Sequence, residues 1–131
     1  MHIGDATDAR TRVITALLSQ LLSEPAFNQL RTQETLGYIV SCGSTVLPRD
    51  THTGLRIFLQ SERKPAYCEE RIESFLAGQR GRLESMPAKE FAEQKEGLKR
   101  KWLERLKNLR EETNRYWKYI AAGHFDFHRR M

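Results

Sequence analysis

Near the start of the chain, apolar residues come in pairs every four positions: Val13/Ile14, Leu17/Leu18 and Leu21/Leu22. That spacing lays a broad apolar stripe along a helix that starts near Arg10. Residues 1–9 lack any such pattern and read as a loose end. Pro25 interrupts the stripe, and Phe27 and Leu30 resume it as far as Arg31. The pattern therefore predicts a break and a restart, since proline is well tolerated in a first helical turn. From Leu36 the period changes to two. Leu36, Tyr38, Val40 and Cys42 fall on one face, with Gly37, Ile39, Ser41 and Gly43 on the other, which predicts a strand. A polar loop ending at Gly54 leads to a second strand, Leu55 to Ser61, and the two form an antiparallel hairpin. Three helices follow. The first, Pro65 to Arg82, buries Cys68, Ile72, Phe75, Leu76 and Leu83. The second, opened by Pro87, runs to Leu109 with Phe91, Leu98, Trp102, Leu106 and Leu109 in a seam. The third starts near Glu111, carries Tyr116, Trp117 and Ile120, and ends at Gly123. A lone hairpin is marginal, and amphipathic helices need a surface to cover. The fold class is α+β: an antiparallel sheet, one hairpin of it present and the rest missing, covered on one face by helices.

Composition narrows the function classes. At 131 residues the chain is one ordinary domain or part of a larger one. Charged residues make up 30%, yet 39% are hydrophobic, too many for a disordered chain. No apolar run approaches the roughly 20 residues of a membrane helix. The opening Met-His-Ile-Gly-Asp-Ala lacks the basic start and apolar stretch of a secretory signal. Cys42 and Cys68 are too few for a disulfide scaffold and read as reduced thiols. A cytoplasmic setting follows, with mitochondria or peroxisomes as alternatives. The net charge of +5 is carried entirely by residues 61–131. Many of its basic residues alternate with glutamates at helical spacing, the pattern of a solvated helix face rather than of a nucleic-acid groove.

The usual catalytic signatures are absent: no Gly-rich phosphate loop, no nucleophile elbow, no paired-histidine zinc helix. His124 and His128 stand four apart around Asp126 with no third ligand near, and read as surface residues. His2 and His52 stand alone in loops. Trp102 keeps register with Leu98 and Leu106, which favours core packing over base stacking, while Tyr116 and Trp117 fit either. From the residues alone, Arg31 is a cation at a helix C-terminus and Tyr38 an ordinary strand aromatic.

One segment is more specific. Phe27-Asn28-Gln29-Leu30-Arg31-Thr32-Gln33-Glu34-Thr35-Leu36-Gly37-Tyr38-Ile39-Val40 resembles the F-N-x-L-R-T-x-E-x-L-G-Y-x-V signature of the C-terminal half of insulinase (M16) family metallopeptidases, at every fixed position. The resemblance continues through Gly54–Glu62, the Arg71–Leu76 helix and the Tyr116-Trp117 pair, and is loose at Gly123–His128.

The resemblance implies a clam-shell enzyme of two halves, each of two α+β domains, enclosing a chamber for peptides. The N-terminal half of such enzymes holds zinc through H-x-x-E-H and a distant glutamate. That motif is absent here, so residues 10–131 resemble part of the last, zinc-free domain, with more strands before residue 10 and a closing segment after Met131. The resemblance assigns Arg31 and Tyr38 to the catalytic zinc site across the chamber and Phe27 to the substrate region. Implied partners are peptide substrates and the zinc-bearing half, with homo-oligomers open and neither nucleic acid nor membrane expected. The expected function is that of the substrate-binding half of a zinc metalloendopeptidase, inactive as this chain alone. The alternative is a non-catalytic descendant of the fold that binds peptides or assembles subunits.

Overall fold

The computed structural model describes residues 1–46, 52–121, 123 and 127. Its elements are β1 (His2–Asp5), α1 (Ala9–Ala26), a π-helical segment (Phe27–Gln33), β2 (Ile39–Val46), β3 (His52–Gln60), α2 (Pro65–Glu84), α3 (Ala88–Leu103) and α4 (Leu109–Ala121). The architecture is α+β. Its sheet is antiparallel, in the order β1-β3-β2, and is not closed.

The expected hairpin is present, with Ile39 opposite Gln60 and Val46 opposite Thr53. Residues 1–9 are not a loose end, however. β1 pairs with β3, placing Asp5 opposite His52, and the Met1 amino group donates to the Leu55 carbonyl at 2.8 Å. Four residues with no complete alternation carry too little pattern to be read as a strand, so the pairing supplied by β3 decides the conformation. His2 and His52 thereby leave their expected loops and meet edge-to-face, 4.9 Å between ring centroids.

Asp8 caps α1 by accepting from the Arg10 and Thr11 N–H groups. Leu22 and Ala26 of α1 join Leu30, Leu36, Val40, Cys42, Leu55 and Phe75 in the buried core, with Ile57, Leu59, Ile72, Leu76 and Leu83 packed against it. The alternation of β2 and β3 points Val40, Cys42 and Leu55 inward and leaves Ile39, Ser41, Arg56 and Phe58 outward and exposed. One face of the sheet is therefore helix-covered. α3 is tied to α1 by Gln20, whose side-chain amide donates to the Gln94 backbone and side-chain carbonyls at 3.0 and 2.7 Å.

Two helix boundaries differ from those the pattern predicts. Pro25 does not break α1: the helix continues through it, and the ladder then widens to five-residue spacing, with the Glu34 N–H donating to the Gln29 carbonyl at 2.9 Å. The second difference lies in the long seam. α3 stops at Leu103, and Glu104 is extended. The Asn108 side chain accepts from the Glu111 N–H at 2.9 Å while the Glu111 carboxylate accepts from the Lys107 N–H at 2.8 Å. This reciprocal cap outweighs the apolar register and starts a new helix. Leu106 and Leu109 are consequently exposed. In α4 the buried ring is Tyr119, whereas Tyr116, Trp117 and Ile120 face outward. Asn108→Ala is expected to cost about 0.5–2 kcal/mol, read as a lower denaturant midpoint with unchanged slope.

Candidate functional site

The signature segment spans the end of the helical run and the entry to β2, and its sequence makes that passage abrupt. Thr35 has φ 48°, a left-handed conformation that is unusual for a β-branched residue. Such strain costs on the order of 1–3 kcal/mol and persists only where neighbours enforce it. Several do. The Leu36 N–H donates to the Leu30 carbonyl at 3.0 Å, and the Ser61 hydroxyl donates to the Leu36 carbonyl. Gly37 lies directly against the Gln60 carbonyl, leaving no room for a side chain. On the helical side, Glu34 accepts from Arg71 Nε at 2.8 Å and Nη2 at 2.9 Å, and from the Gln29 amide at 2.8 Å. The paired Arg71 bonds hold the Glu34 carboxyl below the usual carboxylate range, against the opposing effect of burial, and raise Arg71 in turn. Both partners are charged at neutral pH.

This turn corrects the expected position of Tyr38. It does not share the inward face of Leu36, Val40 and Cys42; it precedes β2 and is 81% exposed. β2 begins only at Ile39 and Tyr38 sits in the bend before it, so period-two reasoning does not reach Tyr38. Tyr38 turns instead toward Arg31. The Arg31 guanidinium carbon lies 5.5 Å from the Tyr38 ring centroid and 4.7 Å from that of Phe27, one helical turn earlier and 43% exposed. Among the described residues no carboxylate pairs with Arg31. Flanking aromatic faces hold a guanidinium by cation–π attraction while leaving its N–H edge for other acceptors. Arg31 and Tyr38 line an open cavity of about 750 Å³, whose other wall is Gln60 at the end of β3 and the following residues Ser61 to Arg63. All three residues singled out in the sequence thus converge, and they present a cation and a phenol to one cavity.

Such a pair can receive negative charge on an oxygen: the phenol can donate a hydrogen bond to it and the guanidinium supplies a fixed positive charge. Among the described residues no group of three or more His, Cys, Asp or Glu side chains is placed to hold a metal ion. These residues do not fit zinc as ligands. His124, Asp126 and His128 lie outside the described residues.

No periodic pattern in the sequence marks the residues that meet around the turn between Arg31 and Tyr38: Glu34, Gly37, Ser61 and Arg71. For Glu34 a signal of another kind existed. An acid just past a helix C-terminus opposes the helix dipole and calls for a cation partner, which Arg71 provides from α2. For Ser61 none did, since only the folded hairpin brings it to Leu36.

Residues 17–117 match the family model described as "PQQ synthase PqqF-like, C-terminal lobe domain 4". The chain is 40% identical over 129 residues to insulin-degrading enzyme of Drosophila melanogaster, covering 98% of this chain and 13% of that protein. It is 38% identical over 118 residues to A-factor-processing enzyme of Saccharomyces cerevisiae, covering 90% and 11%. The crystal structure of pitrilysin superposes with a TM-score of 0.76 at 27% identity, covering 95% of this chain and 13% of that one. The chain therefore spans roughly an eighth of the length of these relatives.

Proposed function

The chain belongs to the insulinase family of zinc metallopeptidases, and from that premise we propose that it is part of a C-terminal, substrate-binding lobe that lends Arg31 and Tyr38 to peptide hydrolysis in a zinc site held by the other lobe. One observation carries this reading: Phe27, Arg31 and Tyr38 meet around a single guanidinium on an open cavity. Tyr38 is as exposed as a residue must be to reach a surface outside its own domain.

Zinc held by the opposing lobe would, when bound, supply Lewis-acid activation of the attacking water. The contribution of Arg31 and Tyr38 is electrostatic. Negative charge grows on the scissile carbonyl oxygen during attack, and the Tyr38 hydroxyl donates a hydrogen bond to it as it grows. Arg31 holds its positive charge beside the same oxygen or a neighbouring carbonyl. Its orientation is set in advance by the two rings, so little reorganisation is needed at the moment of reaction. Phe27, exposed behind the Arg31 guanidinium, offers apolar surface to the substrate. The zinc ligands and the general base belong to the opposing lobe.

This division of labour has a direct test. The chain purified alone is expected to retain no stoichiometric zinc and to cleave no peptide. Combined with a zinc-bearing lobe of the family, on one polypeptide or in trans, it should restore cleavage of a fluorogenic peptide. Metal analysis after gel filtration and the cleavage assay check both halves of the statement. Tight one-to-one zinc on this chain, or full activity of the other lobe without it, would overturn the reading. A complex that forms and binds peptide without cleaving it would identify a non-catalytic descendant instead.

A further inference from the structure

We propose that Glu34 is a positioning residue for the reaction, acting through its bidentate pair with Arg71 to hold Arg31 and Tyr38 opposite each other; the proposal rests on the functional reading above. Glu34 lines neither ring of the cation–π cluster and is not at the cavity wall. It stands between Arg31 and Tyr38 in sequence, immediately before the strained Thr35. Arg71 comes from α2, thirty-seven residues later, and α2 is anchored in the core by the fully buried Phe75. The pair therefore fastens the end of the π-helical segment to a rigid element.

Two properties make this a latch for the site. First, the geometry is two-pronged. Arg71 Nε and Nη2 meet the two oxygens of Glu34 at 2.8 and 2.9 Å, a fork-to-fork contact that fixes direction as well as distance. A third bond, from the Gln29 amide at 2.8 Å, ties the same carboxylate back to the segment that carries Arg31. Second, the neighbouring conformation is under strain. Thr35 has lower-energy conformations available, and a turn freed at Glu34 would relax toward them, rotating Tyr38 away from the Arg31 guanidinium. Backbone bonds from Glu34 to Gln29 and from Leu36 to Leu30, with the Ser61 hydroxyl on Leu36, bracket the turn locally, and the Glu34 carboxylate adds the tie from it to α2. A misplacement of about 1 Å at groups aimed at a transition state can cost about a hundredfold in rate, so a modest relaxation is enough to matter.

The experiment uses the complete two-lobed enzyme carrying this chain, with kcat and KM measured on a short fluorogenic peptide and thermal unfolding followed in parallel. Glu34→Gln keeps the shape and removes the charge; Arg71→Lys keeps the charge and removes the fork. Each is expected to lower kcat by about ten- to a hundredfold, with KM changed much less and zinc content unaltered. The charge exchange Glu34→Arg with Arg71→Glu should recover part of the loss. The deciding measurement repeats Glu34→Gln in a background already lacking both functional groups, Arg31→Ala with Tyr38→Phe. A positioning residue has nothing left to position there, so the further loss should be under about threefold. An equal fold-loss in both backgrounds would assign Glu34 to general stability and overturn the proposal. So would an unchanged kcat in Glu34→Gln while Arg31→Ala and Tyr38→Phe are impaired, an outcome that leaves the functional reading intact. If Arg31→Ala and Tyr38→Phe are themselves fully active, the functional reading falls, and the latch falls with it.

Discussion

Arg31→Ala and Tyr38→Phe, made in the complete enzyme, should each slow peptide hydrolysis by roughly ten- to a thousandfold, the upper figure being that of one lost oxyanion donor. The two substitutions remove different things. Tyr38→Phe deletes one hydroxyl and keeps the ring, so the stacking that holds the guanidinium 5.5 Å from the ring centroid survives. Its cost isolates the hydrogen bond to the developing charge. Since that bond strengthens only as charge develops, the loss should fall on kcat, with KM little changed. Arg31→Ala removes the cation around which Phe27 and Tyr38 are arranged. It should do equal or greater damage, with an added rise in KM if the guanidinium also grips a substrate carbonyl in the ground state. Arg31→Lys separates charge from shape: it keeps the charge but loses the planar face that stacks between the rings, so partial activity is expected. Zinc content should match the parent enzyme in every variant, because neither residue is a ligand. Full kcat in Tyr38→Phe would make the tyrosine a mere surface ring and remove the basis of the functional reading.

Legibility in the sequence followed the range of the forces involved. Where a single periodicity governed, as in α1, α2 and the β2–β3 pair, the pattern located the elements, and the buried set Leu22, Leu30, Val40, Cys42, Leu55 and Phe75 lies where it pointed. It failed wherever two local preferences competed. Apolar register argued for one helix from Pro87 to Leu109, yet the Asn108–Glu111 cap ended it early. Proline argued for a break at position 25, yet the helix widened and continued. β1 was invisible because its four residues take their conformation from pairing with β3. The site shows the same division. Phe27 and Arg31 share a helical face at four-residue spacing, which sequence alone implies. That Tyr38 joins them depends on the turn that begins at Thr35 and is held at Leu36 by the distant Ser61, a contact that no local pattern encodes.

Gly37→Ala should be the most damaging single methyl in the chain. A Cβ at this position would lie 1.9 Å from the Gln60 carbonyl oxygen and 2.8 Å from its carbon, both backbone atoms of β3. Flexible side chains can yield to such a clash, but a paired strand cannot. Gln60 is matched to Ile39 in the sheet, and the next residue, Ser61, donates to the Leu36 carbonyl. Moving either strand to admit the methyl therefore disturbs the last rung of the β2–β3 pairing and the clamp on Leu36 together. Overpacking of this kind typically costs about 1–3 kcal/mol, and here the displaced segment is the one that carries Tyr38. Two consequences should appear together: a lower denaturant midpoint and, below the unfolding transition, a kcat reduced by about ten- to a hundredfold. The second should persist at temperatures where circular dichroism shows the variant fully folded, since it arises from a displaced Tyr38 and not from lost protein. Gly43→Ala is the matched control: it lies within β2, an added Cβ there meets nothing within 4 Å, and it should change neither quantity appreciably. If Gly37→Ala kept both its midpoint and its kcat, β2 and β3 would have to part at Gln60 more easily than their pairing implies, and the turn would not be what holds Tyr38 beside Arg31.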